Sequence, residues 1–171
     1  FRALLYRLVL KPAGMTRSTF QQPLSPPLMA ESAAGHFVTG SVIPGGQNTY
    51  PEYAAAGLWT TPSDYARFVI ALQRAHEGRK NPLLQPQTMQ ALATPVLNGY
   101  GLGVIISRRG PRLAMEHTGS NQGFRCAFLA FLDGRREGVV IMTNGDNGGA
   151  LATEIQRALA MSYGWGAPQQ A

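Results

Sequence analysis

Phe1, Leu4, Leu5 and Leu8 recur at the i, i+3, i+4, i+7 spacing of a helix with one buried face. The spacing predicts a helix already under way at residue 1 and stopped by Lys11-Pro12-Ala13-Gly14. Residues 21–53 carry no sustained period and are rich in Pro, Gly, Ser and Gln. That is longer than the ~12–15 residues usual for a structureless loop, and loops of such length are functional or wrap a surface built elsewhere. At Thr61-Pro62-Ser63-Asp64 a cap, a first-turn proline and an acidic third position announce a helix whose stripe is Tyr65, Phe68, Val69 and Leu72. A shorter helix from Pro86 buries Met89 and Leu92.

After Pro95 the period changes. Residues 101–107, 112–117, 124–132 and 138–143 are short apolar runs bounded by turn residues, and Val, Ile and Phe dominate three of them. Their connections are too short for parallel crossovers, so consecutive strands pair antiparallel. A last helix carries Leu151, Ile155, Ala158 and Leu159 on one face and stops at Gly164. The pattern predicts an α+β fold, an antiparallel sheet flanked by helices. Along the chain it divides into 1–20, an irregular wrapping segment 21–53, a helical segment 54–95, the sheet and last helix 96–164, and a tail 165–171, all within one structural domain.

Length and composition leave this picture in place and narrow the function. A chain of 171 residues with 44% hydrophobic residues supports one core and excludes intrinsic disorder. The longest apolar run, 126–132, is far below the ~20 residues of a membrane-spanning helix. The net charge of +6 comes from 13 arginines and only two lysines, scattered except at Arg108-Arg109-Arg112 and Arg135-Arg136. Both knots fall at turns and are expected to be solvated, with no basic stripe for nucleic acid. The single cysteine, Cys126, sits in an apolar run and is expected in the core.

Several motifs fail on context. Gly99-Tyr100-Gly101-Leu102-Gly103 precedes a strand, not the helix a phosphate loop needs. Asn144-Gly145-Asp146-Asn147-Gly148-Gly149 has Ile155 where a calcium loop requires a bidentate Glu. His36, His76 and His117 share no metal spacing, and no cofactor or metal is expected. What remains is residues 116–125, which place His117, two hydroxyls, an amide and Gly119 at the end of a predicted strand. A polar turn between strands is the simple account. A glycine there also lets another backbone or a ligand approach.

The order Lys11-Pro12-Ala13-Gly14-Met15-Thr16, Gly57-Leu58-Trp59-Thr60-Thr61-Pro62-Ser63-Asp64, Tyr100-Gly101-Leu102-Gly103, His117-Thr118-Gly119, Gly123-Phe124-Arg125 and Thr143-Asn144 resembles the serine β-lactamase and penicillin-binding-protein superfamily. Within it, the class C β-lactamase-related hydrolases and esterases are the nearest branch. The resemblance runs over nearly the whole chain. It implies acyl-enzyme chemistry on an ester or amide without a cofactor, and it favours a periplasmic or secreted protein. The family uses Ser-x-x-Lys, Tyr-x-Asn or Ser-x-Asn, and Lys-Thr-Gly, the last often His-x-Gly in the esterase-like branch. Carried onto this sequence, His117 and Ser120 are the catalytic positions, Ser120 through its backbone N–H at the oxyanion. Thr118, Gly119 and Asn121 line the substrate, and Arg125 is either a substrate-carboxylate partner or a structural charge.

The departure is as informative as the match. No Ser here is followed three positions later by Lys, and the second motif is missing too. In the family both precede the part that resembles residues 1–20. The resemblance therefore implies the C-terminal part of a larger hydrolase, whose N-terminal portion brings the nucleophile, its base, a helical subdomain and an edge strand. A non-catalytic binding or assembly module that kept the fold is the alternative. Histidine in place of a permanently cationic lysine points from β-lactam hydrolysis toward ester or peptide substrates.

Overall fold

The computed structural model describes residues 1–81, 83–166 and 168–169. Short helix α1 (Arg2–Leu5) continues through a π-helical turn at Tyr6–Leu10, then α2 (Pro26–Glu31) and α3 (Tyr53–Ala56) precede the longer α4 (Pro62–His76) and α5 (Pro86–Leu92). Strands β1 (Ile105–Arg109), β2 (Arg112–Asn121), β3 (Phe124–Phe131) and β4 (Gly138–Thr143) follow, then α6 (Gly148–Tyr163) and a two-residue strand β5 (Pro168–Gln169). The sheet order is β4-β3-β2-β1-β5, with every neighbour antiparallel. This is the expected α+β arrangement.

Alternation along β2 and β3 splits the core in two. Met115, Phe128 and Ala130 face α4 and α5, where Val69, Leu72, Ala75 and Met89 close the layer. Ala114, Leu129 and Phe131 face the other way, onto Leu159, Ala160 and Trp165. Complete burial of side chains such as Phe131, Met115 and Leu129 contributes roughly 1.5–3 kcal/mol each. Thr61 caps α4 by accepting from the Asp64 N–H at 3.2 Å, with Pro62 in the first turn. Gly164 ends α6 in the left-handed region at φ 63°.

Several boundaries move for local reasons. The strand expected at 101–107 starts at Ile105, because Gly101–Val104 is a tight turn closed by the Gly101 N–H on the Val104 carbonyl. The strand expected to end at His117 runs on to Asn121. α6 packs through Ala152, Ile155 and Leu159, whereas Leu151 and Ala158 are exposed. Small Ala152 fits against Ala127 and Ile141 where a leucine would hold the helix away. Within the segment expected to be irregular, α2 forms, and α3 begins at its last residue, Tyr53. In the expected tail, Trp165 is buried on Phe131 and donates Nε1–H to Glu137 at 2.8 Å.

The arginine knots are not solvated turns. The Arg112 guanidinium lies 3.6 Å from the Phe131 ring centre and binds both Asp133 and Glu137. Arg109 pairs with Glu116 at 2.7 Å, and Arg136 with Glu77 at 2.9 Å. Hairpin pairing brings these arginines over carboxylates that are distant in sequence, so sequence spacing gives no warning. Of these five arginines only Arg108, on β1, and Arg135 are exposed as expected.

Candidate active site

The β2–β3 hairpin sets the geometry around residues 117–121. Its turn is Gln122-Gly123, and the register pairs Asn121 with Phe124, Ser120 with Arg125, Gly119 with Cys126 and His117 with Phe128. A two-residue turn makes Asn121–Phe124 a hydrogen-bonded pair, and such pairs alternate along an antiparallel ladder. Asn121, Gly119 and His117 thus direct their backbone groups to β3. Thr118 and Ser120 direct theirs to the opposite edge. On that edge β1 has already ended, with Ile105 opposite Glu116. Among the described residues, nothing pairs with the edge at Thr118 and Ser120.

The tip of this hairpin is clamped from several sides by the long segment before α4. Tyr50 Oη accepts the Gln122 N–H at 3.1 Å, and Asn48 donates its amide to the Gln122 side chain. Asn121 Nδ2 donates to the Ala56 carbonyl at 3.1 Å, and Trp59 meets the Phe124 ring edge-on at 5.6 Å. Gly35 and Gly123 touch so closely that a Cβ on Gly123 would stand 2.3 Å from Ile43 Cδ1 and 2.9 Å from Gly35 Cα. Gly35, Ile43, Asn48 and Tyr50 thus lie against the hairpin tip.

The predicted site residues divide between the two faces. His117 is exposed on the face toward α4, and Gly119 lies beside it. Thr118 and Ser120 are exposed on the face toward α6. Asn121 spends one amide hydrogen on Ala56. Arg125, directly across from Ser120, donates to the carbonyls of Asn121 at 2.6 Å and Phe124 at 2.8 Å and pairs with Asp146 at 2.9 Å. Of the two roles open for Arg125, its contacts are those of a structural charge.

Cys126 is exposed, contrary to the expected core position. The β3 face toward α4 is covered from Phe128 onward but open at Cys126. Its sulfur still sits close to neighbouring groups, and desolvation pushes the thiol above its usual range, more than the Gly119 backbone hydrogen bond lowers it. Tyr65 of α4 lies on the same side, half-buried against Phe68 and Phe128. Desolvation, with nearby Cys126 adding to it, pushes its phenol up to about 12. Neither group is an activated nucleophile.

A separate open cleft of about 510 Å³ lies at the start of α6, lined by His36, Thr143, Asn144, Asn147 and Gly148. His36 Nδ1 lies 2.9 Å from the Asn144 carbonyl. No periodicity or motif singled out His36, because a turn in the wrapping segment carries it there. Among the described residues no group of His, Cys, Asp and Glu forms a metal centre. No described helix is long and apolar enough to cross a membrane.

No curated protein matches the chain. Solved structures match it as a fold. They include the octameric penicillin-binding protein homologue from Pyrococcus abyssi (20% identity, TM-score 0.69, covering 96% of this chain and 38% of that one). D-amino acid amidase from Ochrobactrum anthropi SV3 matches at 16% identity and TM-score 0.65, over 95% of this chain and 51% of its own. The simvastatin synthase LovD from Aspergillus terreus matches at 17% and 0.67, over 95% and 50%. The chain thus spans between two-fifths and half the length of these proteins. The Beta-lactamase family model matches residues 1–161, nearly the whole sequence, and the chain belongs to that family.

Proposed function

We propose that this chain is the C-terminal part of a serine hydrolase that cleaves an ester or amide through an acyl-enzyme. The observation that carries the reading is the open edge of β2, where the Ser120 N–H points away from the sheet next to exposed His117. A donor fixed by a strand is held in place before charge develops, which is what an oxyanion site needs. The acyl oxygen lies between the Ser120 N–H and the N–H of a nucleophilic serine outside this chain. That serine's oxygen bonds the acyl carbon, and the leaving group departs with a proton. His117 stands beside the reacting centre and orients the leaving group, while Thr118 and Asn121 border the bound acyl group. Gly119 keeps the strand flat beneath it.

The test is intact mass spectrometry of the full-length protein after treatment with a serine-reactive fluorophosphonate. One adduct, mapped to a serine outside these 171 residues, is the expected result. An unlabelled protein of native fold would instead support a binding or assembly module that kept the fold.

A further inference from the structure

Thr118 and Ser120 stand on one face of β2 between two closed ion pairs. Two positions before Thr118, Glu116 is held by Arg109 at 2.7 Å. Directly across from Ser120, Arg125 is held by Asp146 at 2.9 Å. In a non-hydrogen-bonded antiparallel pair the side chains are at their closest, so Arg125 is placed better than any other described cation to meet a group at Ser120. Yet its guanidinium also donates to the Asn121 and Phe124 carbonyls, and Asp146 accepts in addition from the Gly123 N–H at 2.8 Å. The arginine is both neutralised and geometrically tied to the hairpin tip.

We infer that this edge selects acyl substrates that are uncharged where they lie against Ser120, and that Asp146 sets the selectivity by occupying Arg125. The inference rests on the hydrolase reading above and adds its substrate class. A carboxylate arriving at Ser120 meets hydroxyls and an already paired arginine, and it loses hydration without gaining a free cation. An alkyl or amide group at the same place loses little. Histidine at position 117, in place of a permanently charged lysine, works in the same direction.

The test compares p-nitrophenyl valerate with mono-p-nitrophenyl glutarate, which differ in a terminal methyl against a carboxylate, as substrates of the full-length protein. Wild type is expected to favour the valerate in kcat/KM by about tenfold or more. Asp146→Asn keeps an acceptor for the Gly123 N–H and removes the counter-charge, so it should reduce that preference about tenfold. Adding Arg125→Gln to it should restore the wild-type ratio. Valerate turnover reports folding in each variant. Equal or reversed preference in wild type overturns the inference, as does a ratio indifferent to Asp146→Asn. Turnover of neither ester overturns the hydrolase reading itself.

Discussion

Cys126 Sγ occupies the space beside Gly119, 2.5 Å from where a Cβ on that glycine would stand. The two are cross-strand partners, so the absent side chain in β2 is matched by a thiol in β3. A methyl group at position 119 forces the thiol to rotate, because the backbone of β3 is fixed by its ladder. Gly119→Ala should therefore lower esterase activity of the full-length protein, and Cys126→Ala should restore much of it. A double-mutant cycle in kcat/KM checks this, with a coupling of about 1 kcal/mol expected for directly touching groups. Independent, additive effects would place the role of Gly119 elsewhere.

Ser120 separates a backbone role from a side-chain role. Its N–H faces the open edge, so a proline there removes no bond to β3, and proline is tolerated on strands in that situation. Ser120→Ala should leave turnover within a few-fold of wild type. Ser120→Pro should cut kcat by about 10²–10³-fold, the usual cost of losing one oxyanion donor. Circular dichroism and thermal melting show whether the sheet survives. A folded proline variant with normal turnover would remove the Ser120 N–H from the chemistry.

His117 is exposed, and no described side chain is hydrogen-bonded to it, so its removal should scarcely affect stability. His117→Ala is expected to lower kcat/KM by about 10²-fold while the melting temperature stays within a few degrees. Steady-state kinetics beside a thermal melt distinguishes that from a structural histidine, which would show the opposite split.

The part of the proposed site that the sequence offers is the part that is local. His117, Gly119 and Ser120 lie within four residues, and a glycine between polar residues at a strand end marks a place where something approaches. The helix at Pro62 was equally plain, since Thr61, Pro62 and Asp64 carry its cap in sequence. What stayed hidden depends on pairing across distance. Arg112 meets Asp133 and Glu137 only after two hairpins close, and Asp146 reaches Arg125 only through the β4–α6 connection. Cys126 misled for a related reason. Its apolar neighbours belong to a strand whose inner half is covered and whose outer half is open, a difference that periodicity does not carry.

The Arg112 cluster predicts an acid limb of stability. The Arg112 hydrogen bond is the main cause holding Glu137 below its usual range, against some desolvation, with Trp165 assisting. For Asp133, desolvation alone would raise the carboxyl, but the bonds from Arg112 and the Arg135 N–H outweigh it and the net shift is downward. A carboxylate with a depressed folded value contributes stability above its unfolded value and loses it as pH falls through the folded one. Resistance of the full-length protein to urea should therefore fall from about pH 5 downward. Arg112→Met should be less stable at neutral pH, and its deficit should shrink once both carboxyls are protonated. A constant deficit would mean that stacking on Phe131, not charge, is what Arg112 supplies.

Asp64 is a buried carboxylate, only 1% exposed, and three donors from two segments converge on it. The Arg17 N–H donates at 2.7 Å and Ser18 Oγ–H at 2.8 Å, both from the stretch after the first helix, and Arg67 pairs with it one turn along α4. Thr60 Oγ1 lies 2.7 Å from Ser18 Oγ and extends the junction toward the cap of α4. This junction ties residues 17–18 to the helix that covers one face of the sheet. Asp64→Ala would remove the acceptor of the Arg17 N–H and one of two partners of the half-buried Ser18 hydroxyl, and would leave the Arg67 guanidinium without its carboxylate, at about 1–3 kcal/mol for each lost bond. Destabilisation of roughly 2–4 kcal/mol in chemical denaturation is the expected outcome. Asp64→Asn keeps one acceptor oxygen and gives up the charge, so it should fall between wild type and alanine. If asparagine proves as damaging as alanine, the pairing with Arg67 holds the junction, and the bonds to Arg17 and Ser18 only follow it.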